Sequence, residues 1–590
     1  MSLAEADGPP WPAAVAPSAP SLPAPSLPAP SPPAKKRPAK KRLTQKPLTQ
    51  KAPAQKRSEQ KSPAPRPAAP EPQPPTSPSG SGSFRDHLPG LLLIAVLTVQ
   101  AMLSLRLVWA NTAFLDEATY LYGGHVEIAH WLHGTPVPPY ATYFSGSPVI
   151  YPPLAALAAH FGGLAAARLL SLPFMLGATA LLWSITSRLF GGKAAFLAAA
   201  IFAALGPTQS LGAFATYDAM AIFLLAAATW CMVSARDRDD STLLLLAGIA
   251  LLGLANATKY ATTLFDPAVV ALAALTIARR RGVKPALGRA GYVAAGTLGL
   301  LSALLALGGP WYLNGVLSTT LSRATGNKPA LLVLADAWKW TGVVFVLAGL
   351  GVACAVLRRH DRVQVTLLAV LAACGVLVPL DQARIHTTTS LFKQVDFGAW
   401  FAAAAAGYAL TQLSGSGWRP WLRTGIAALA GGAAAALVGV FAGAQASSFF
   451  GEWPNSAQST AVIRALVASH PGAYLAENYN VPAYYLQATV GWQRWSNTWS
   501  FTYTRPASHH VLSGAAAYRA AIGDDYFSLV ILDFTATAAT DSQIVADMHR
   551  AGAYHLVAVV PTRDVFGPSQ VMAWAYEPAP GDRGSQHGDH

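Results

Sequence analysis

The chain has 590 residues, of which 52% are apolar and only 12% charged, about half the charge of an ordinary soluble domain; a single soluble globular protein is excluded. The formal net charge of +14 does not point to a nucleic-acid-binding surface, because thirteen Lys/Arg against four acids lie in residues 1–85 and place +9 of it in one tail. Cys231, Cys354 and Cys374 all fall inside apolar runs, where a thiol acts as a small hydrophobe, and imply no disulfide framework.

The tail, residues 1–85, is low in complexity: SLPAPSLPAPSPPA, KKRPAKKR and LTQKPLTQK follow one another with almost no aromatics. It cannot bury enough apolar surface to offset chain entropy and is expected to be a disordered arm on the cytoplasmic side, attracted to anionic lipid. Its charges come late and no apolar core follows Met1, so it does not read as a signal peptide.

Apolar runs near the roughly 20 residues needed to cross a bilayer then appear at 88–109, 164–185, 194–214, 217–233, 243–264, 267–277, 291–307, 330–357, 363–380, 397–413 and 426–444. These are about eleven spans, the shortest being 267–277. Loops at 188–193, 236–238, 279–284, 358–362 and 419–423 are all basic, which places them and the tail inside the cell and the C-terminus outside. The fold class expected is a mainly α polytopic protein of the plasma membrane, residues 86–447, with a first outer loop at 110–162. After it come an extracytoplasmic α/β domain, 448–580, and a short tail, 581–590. In that C-terminal part, 474–478, 526–534 and 554–561 read as buried strands, and 456–469, 514–521 and 541–551 as helices. The alternation suggests a mainly parallel sheet, and no glycine-rich phosphate loop follows a strand.

Charge placed expensively at the outer membrane face marks the candidate chemistry. Asp116 and Glu117 lie in NTAFLDEATYLYGGHVEIAHWLHG, where the first span emerges. Asp218 opens the fourth span at the same depth, and Lys259 is near the outer end of the fifth. One reading is ordinary helix capping, since Asp and Glu are favoured in a first turn. The other is a site that moves a proton beside a bound anion. Candidate phosphate-binding cations on the outer side are Lys259, Arg323, Lys328, Arg384, His386 and Lys393; ARIHTTTSLFKQVDFG gathers three of them ahead of Asp396.

FLDEATYLYGGH at 114–125, YPPL at 151–154, RLLS at 168–171 and ATYDAMAIF at 215–223 together resemble the GT-C glycosyltransferases. The nearest branch contains protein O-mannosyltransferases and lipid A aminoarabinose transferases. The likeness covers 88–264, fades to topology through 413, and does not include the C-terminal region. It implies an inverting transfer of a hexosyl or pentosyl group from a polyprenyl-phosphate donor to a lipid, glycan or protein acceptor on the outer side. Asp116 would act as general base, Asp218 and Glu117 would orient the acceptor or an ion, and Tyr120, Lys259, Arg384, His386 and Lys393 would bind substrate.

No cofactor is required by this reading, though some relatives bind a divalent ion; His125 and Glu127, with His130 and His133, are the metal candidates. Membrane lipids are expected partners and nucleic acid is not. A proton-coupled transporter or flippase is the alternative, its intramembrane acids being relays, but no inverted repeat of spans is visible. A plain membrane anchor has no need of eleven spans. The aromatic stretch GWQRWSNTWSFTY at 491–503 suits either stacking on a sugar or packing on membrane or core. The Ala-, Gly- and Pro-rich composition suggests a bacterium of high GC content.

Overall fold

The computed structural model describes residues 84–238, 240–414, 440–506 and 508–577. The basic tail, most of the eleventh expected span and the last residues lie outside the described residues. The N-terminal helices are α1 (Phe84–Leu105), α2 (Leu115–His133), α3 (Tyr151–Phe190), α4 (Gly192–Ala204), α5 (Gly206–Leu211) and α6 (Tyr217–Ser234). They are followed by α7 (Thr242–Thr258), α8 (Asp266–Arg281), α9 (Val283–Thr319), α10 (Ala330–Leu357), α11 (Arg362–Arg384), α12 (Leu391–Ser414) and the described part of α13, 440–449. Among the described residues seven helical stretches are long and apolar enough to cross a membrane, including Tyr260–Arg281, and α4 and α7 are shorter apolar helices. The protein is a multi-pass membrane protein.

Glycine and proline decide where these helices break. The expected first outer loop is largely helical: α2 fills its middle, and α3 begins at Tyr151 and bends at Gly162 and Gly163. Gly163 has φ +64° and ψ −159°, a conformation open only to residues without a Cβ. The expected span 194–214 divides at Leu205, where Gly206 and Pro207 start α5, because proline suits a first helical turn and not an interior. Lys259 is extended (φ −148°, ψ 116°) and ends α7 ahead of a 3-10 turn over Tyr260–Phe265.

α12 sits inside the bundle, with Phe397, Trp400, Phe401 and Ala402–Ala406 buried; the Trp400 indole donates to the Ala178 carbonyl of α3 at 2.9 Å. By contrast Leu298, Leu307, Leu331 and Leu357 are more than 60% exposed, an outward apolar surface fit for lipid. α2 packs at Gly124 against the start of α3, where a Cβ would overlap the Pro152 carbonyl. Gly124→Ala should therefore cost about 1–3 kcal/mol through overpacking, read as a lower unfolding midpoint of the detergent-purified protein.

The C-terminal region holds α14 (Ala457–Ser469), β1 (Ala473–Ala476), α15 (Asn480–Tyr485), β2 (Trp495–Ser496), β3 (Thr502–Thr504), β4 (Val511–Ser513), α16 (Ala515–Gly523), β5 (Phe527–Leu532), α17 (Ala538–Ala551), β6 (Tyr554–Asp564) and β7 (Gly567–Tyr576). The main sheet has the order β2-β1-β5-β7-β6, and β3 pairs with β4. The sheet is mixed, which corrects the expectation of a mainly parallel one: β2, β1 and β5 are parallel, whereas β7 runs antiparallel to both β5 and β6. Only two residues separate the Asp564–Gly567 pair, and so short a turn forces antiparallel neighbours. The Asp564 carboxylate accepts the Phe566 and Gly567 amides and closes that turn. In the aromatic stretch Trp495 packs on Tyr474, and Phe501 and Tyr503 enter the core with Tyr518 and Phe527. The Trp492 indole donates to the Pro136 carbonyl of the first outer segment at 3.0 Å.

Candidate functional site

The two adjacent acids of α2 have different surroundings. Successive helical residues point about 100° apart, so Asp116 and Glu117 cannot share one face. Glu117 is completely buried and takes the capping role: its Oε2 accepts the Phe114 amide at 3.0 Å. It also forms a bidentate pair with Arg168 of α3 at 2.8 and 2.7 Å, and its Oε1 accepts the Ala215 amide at 2.9 Å. Arg168 spends its remaining N–H groups on the carbonyls of Val108 and Asn111, both at 2.9 Å, and Thr112, at 3.1 Å. All five guanidinium donors are satisfied, and the chain leading from α1 to α2 is held on three of them.

The C-terminal region grips the same segment. The Asn111 amide donates to the carbonyls of Phe450 and Trp453, the Trp453 indole donates to the Thr112 carbonyl, and the Ala113 amide donates to the Tyr485 hydroxyl, all at 2.9–3.0 Å. The Ser456 amide donates to the Thr112 hydroxyl at 2.9 Å. Phe114, Phe214, Phe449 and Trp453 pack around this junction.

Asp116 keeps 28% of its side chain exposed and pairs with the nearly buried Lys393 of α12. Asp218, buried in the first turn of α6, pairs with Lys259 at 2.5 Å and accepts the Thr216 hydroxyl at 2.9 Å. Lys259 also lies over the Tyr217 ring, 4.8 Å from its centroid. Tyr120, one turn after Asp116, donates its hydroxyl to that of Tyr217 at 2.7 Å, and Ser145 meets the Tyr217 hydroxyl at 2.6 Å. Lys393 and Asp218 interact electrostatically, and Arg323 feels Tyr217, Asp381, Tyr120 and Asp116. Two acids and two lysines cancel in charge, and Arg323 adds a further cation whose charge Asp381 opposes.

Asp116, Tyr120, Asp218, Lys259 and Lys393 are thus brought together from α2, α6, the end of α7 and α12. Arg384 and His386 are turned to other partners: Arg384 pairs with Asp381 at 2.9 Å, and the His386 ring meets the Lys328 carbonyl at 2.9 Å. Asp396, one turn beyond Lys393, is buried and accepts the Thr208 hydroxyl at 2.8 Å. His125 and Glu127 are not gathered with His130 and His133 into a ligand group among the described residues; burial raises the Glu127 carboxyl above its ordinary pKa, and the His130 ring meets the Thr135 carbonyl at 2.8 Å. The reading of the sequence assigned no role to Arg168. The signal was present, since an arginine inside the apolar run 164–185 must find a partner.

Residues 154–307 match the family model of dolichyl-phosphate-mannose-protein mannosyltransferases. No curated protein sequence matches the chain. Among solved structures, the Archaeoglobus fulgidus oligosaccharyltransferase in its apo form is similar with a TM-score of 0.53 and 13% identity, covering 85% of this chain and 76% of that one. The archaeal oligosaccharyltransferase AglB of the same organism, in complex with an inhibitory peptide and a dolichol-phosphate, gives 0.53 and 13% over 85% and 75%. ArnT from Cupriavidus metallidurans bound to undecaprenyl phosphate gives 0.52 and 16% over 82% and 98%. The family match over α3–α9 and these likenesses over more than four-fifths of the chain agree: the protein has the GT-C glycosyltransferase fold.

Proposed function

We propose that the protein transfers a sugar from a polyprenyl-phosphate donor to a hydroxyl or amine acceptor on the extracytoplasmic side of the membrane, with Asp116 as general base. The observation that carries this reading is the partly exposed Asp116 carboxylate set beside a buried lysine, with a second acid–lysine pair behind it. The basic loops support a cytoplasmic N-terminus and an outer face for the site. Structures of this fold hold dolichol-phosphate and undecaprenyl phosphate, which supports a lipid-linked donor.

In the reaction, the acceptor proton passes to the Asp116 carboxylate while the acceptor oxygen or nitrogen attacks C1 of the sugar. The C1–oxygen bond to phosphate breaks, and the polyprenyl phosphate leaves with the bonding electrons. Lys393, Lys259 and Arg323 offset the charge that grows on that phosphate. Lys393 also has to share itself between Asp116 and the donor, so donor binding weakens the ion pair and frees the base. Asp218 holds Lys259, and Tyr120 and Ser145 fix the Tyr217 ring beneath the lysine. Of the substrate-binding expectations, Lys393, Lys259 and Tyr120 are retained, and Arg323 takes the place first given to Arg384 and His386.

Lys393→Ala should lower transfer by about 10²-fold, the value of one charge-stabilising donor, with the larger part in kcat and a weaker donor KM beside it. The test is radiolabelled sugar transfer from a polyprenyl-phosphate-sugar in membranes containing wild-type or variant protein. Solute uptake driven by a proton gradient, with no sugar transfer from any lipid donor, would replace this reading by the transporter.

A further inference from the structure

A second cluster of acids lies far along the chain from Asp116, in the C-terminal region. β1 and β5 are parallel neighbours, and each is followed at its carboxyl end by an acid, Glu477 and Asp533. That end of a parallel pair is where α/β sheets present ligand-binding groups. α17 begins beside it and contributes Asp541 from its first turn. One carboxylate oxygen from each of the three lies within 4.8 Å of the other two.

The surroundings do not neutralise them. Among the described residues no lysine, arginine or histidine forms an ion pair with any of the three, although Asp547, on the same helix as Asp541, has both Arg519 and Arg550. Glu477 accepts the amides of Asp533, Thr535 and Thr537 at 2.8–3.3 Å, which ties the β5–α17 loop around the cluster. Asp533 accepts the Asn478 amide and the Thr535 hydroxyl, each at 2.9 Å.

An independent observation concerns Asp541. Its side chain is completely buried, its Oδ1 accepts the Thr537 hydroxyl at 2.9 Å, and its Oδ2 has no hydrogen-bond donor among the described residues. Three carboxyls this close repel one another unless a cation or shared protons lie between them. Asp533 also lines an open pocket of about 430 Å³ with Phe534, Pro568, Ser569 and Gln570, so one edge of the cluster faces solvent while Glu477 and Asp541 lie buried behind it.

We propose that Glu477, Asp533 and Asp541 bind a hard divalent cation of the calcium or magnesium class. The donors are all oxygen, three carboxylates with the Thr535 and Thr537 hydroxyls alongside, the set that suits such ions and not zinc or copper. Bound there, the cation joins the carboxyl ends of β1 and β5 to the first turn of α17, and so stiffens the region that also grips residues 111–113. The site uses none of the residues assigned to sugar transfer.

The test uses the full chain purified in detergent, stripped with a chelator and titrated with calcium or magnesium chloride. Unfolding midpoint and terbium luminescence are the readouts, Trp574 packing on Phe534 as the sensitiser with ring centroids 6.5 Å apart. A midpoint that rises with calcium or magnesium and falls with chelator is expected, as is affinity at least about tenfold weaker in Asp541→Asn. Should Asp541→Asn fail to fold, Asp533→Asn, at the pocket edge, gives the same reading. A wild type indifferent to both cations, with Asp541→Asn equally stable, would mean that the carboxyls share protons and would overturn the proposal. A metal response that persists undiminished in both variants would place the ion elsewhere and overturn it too.

Discussion

Asp116→Asn should lower sugar transfer by about 10²–10⁴-fold, the usual contribution of a general base, while the protein still folds, its unfolding midpoint lowered modestly because Asp218 also acts on the Lys393 charge. Asn matches Asp in shape and can still accept from Lys393, so packing at the start of α2 is conserved. What disappears is the group proposed to take the acceptor proton. The fall should be carried by kcat, because the base works in the transition state and donor binding rests on Lys393, Lys259 and Arg323. Equal transfer by wild type and Asp116→Asn in the same membranes would remove Asp116 from the chemistry. A weakened donor KM with unchanged kcat would instead make it a partner that holds Lys393.

Arg168→Met should produce the largest loss of stability, about 3–5 kcal/mol, because it strands Glu117 as an uncompensated buried charge. The carbonyls of Val108 and Asn111 lose their side-chain donor in the same step, and that of Thr112 keeps only the Trp453 indole. Arg168→Lys should fall between wild type and Arg168→Met, since an ammonium has three donors and no fork to match the carboxylate. Unfolding midpoints of the detergent-purified variants give the order. Transfer should fall in parallel with stability, as the segment carrying Asp116 loosens. If Arg168→Met kept the wild-type midpoint and lost transfer alone, the guanidinium would be acting on substrate and not on the fold.

How far the site was legible can be judged from its residues. Asp116 and Asp218 stood out because a carboxylate at the edge of an apolar run is costly, and that cost is visible in a single line of sequence. Lys393 was visible as a cation just ahead of an apolar run, but its partner was not: 277 positions separate it from Asp116. Glu117 was assigned to the chemistry with Asp116 as its neighbour in sequence, and the turn of the helix directs it to Arg168 instead. Arg384 and His386 sit within nine residues of Lys393 and still face other partners, because α11 ends at Arg384 and the chain reverses before α12 begins. In the C-terminal region the strands with continuous apolar runs were apparent, whereas β7, partly exposed along its first half and buried only at Ala573–Ala575, was not.

The sequence by itself determined that this protein crosses the membrane many times, where most of its apolar helices run, and which acids stand at the edges of those runs. Those properties depend on local composition, on glycine and proline, and on the price of charge in lipid, all of which act over a few residues. Only the tertiary structure decided which lysine meets which acid, that Glu117 is a structural partner of Arg168, and that Glu477, Asp533 and Asp541 share one place. Such pairings depend on how helices and strands distant in sequence pack, and a side chain's partner is set by the direction it leaves its backbone.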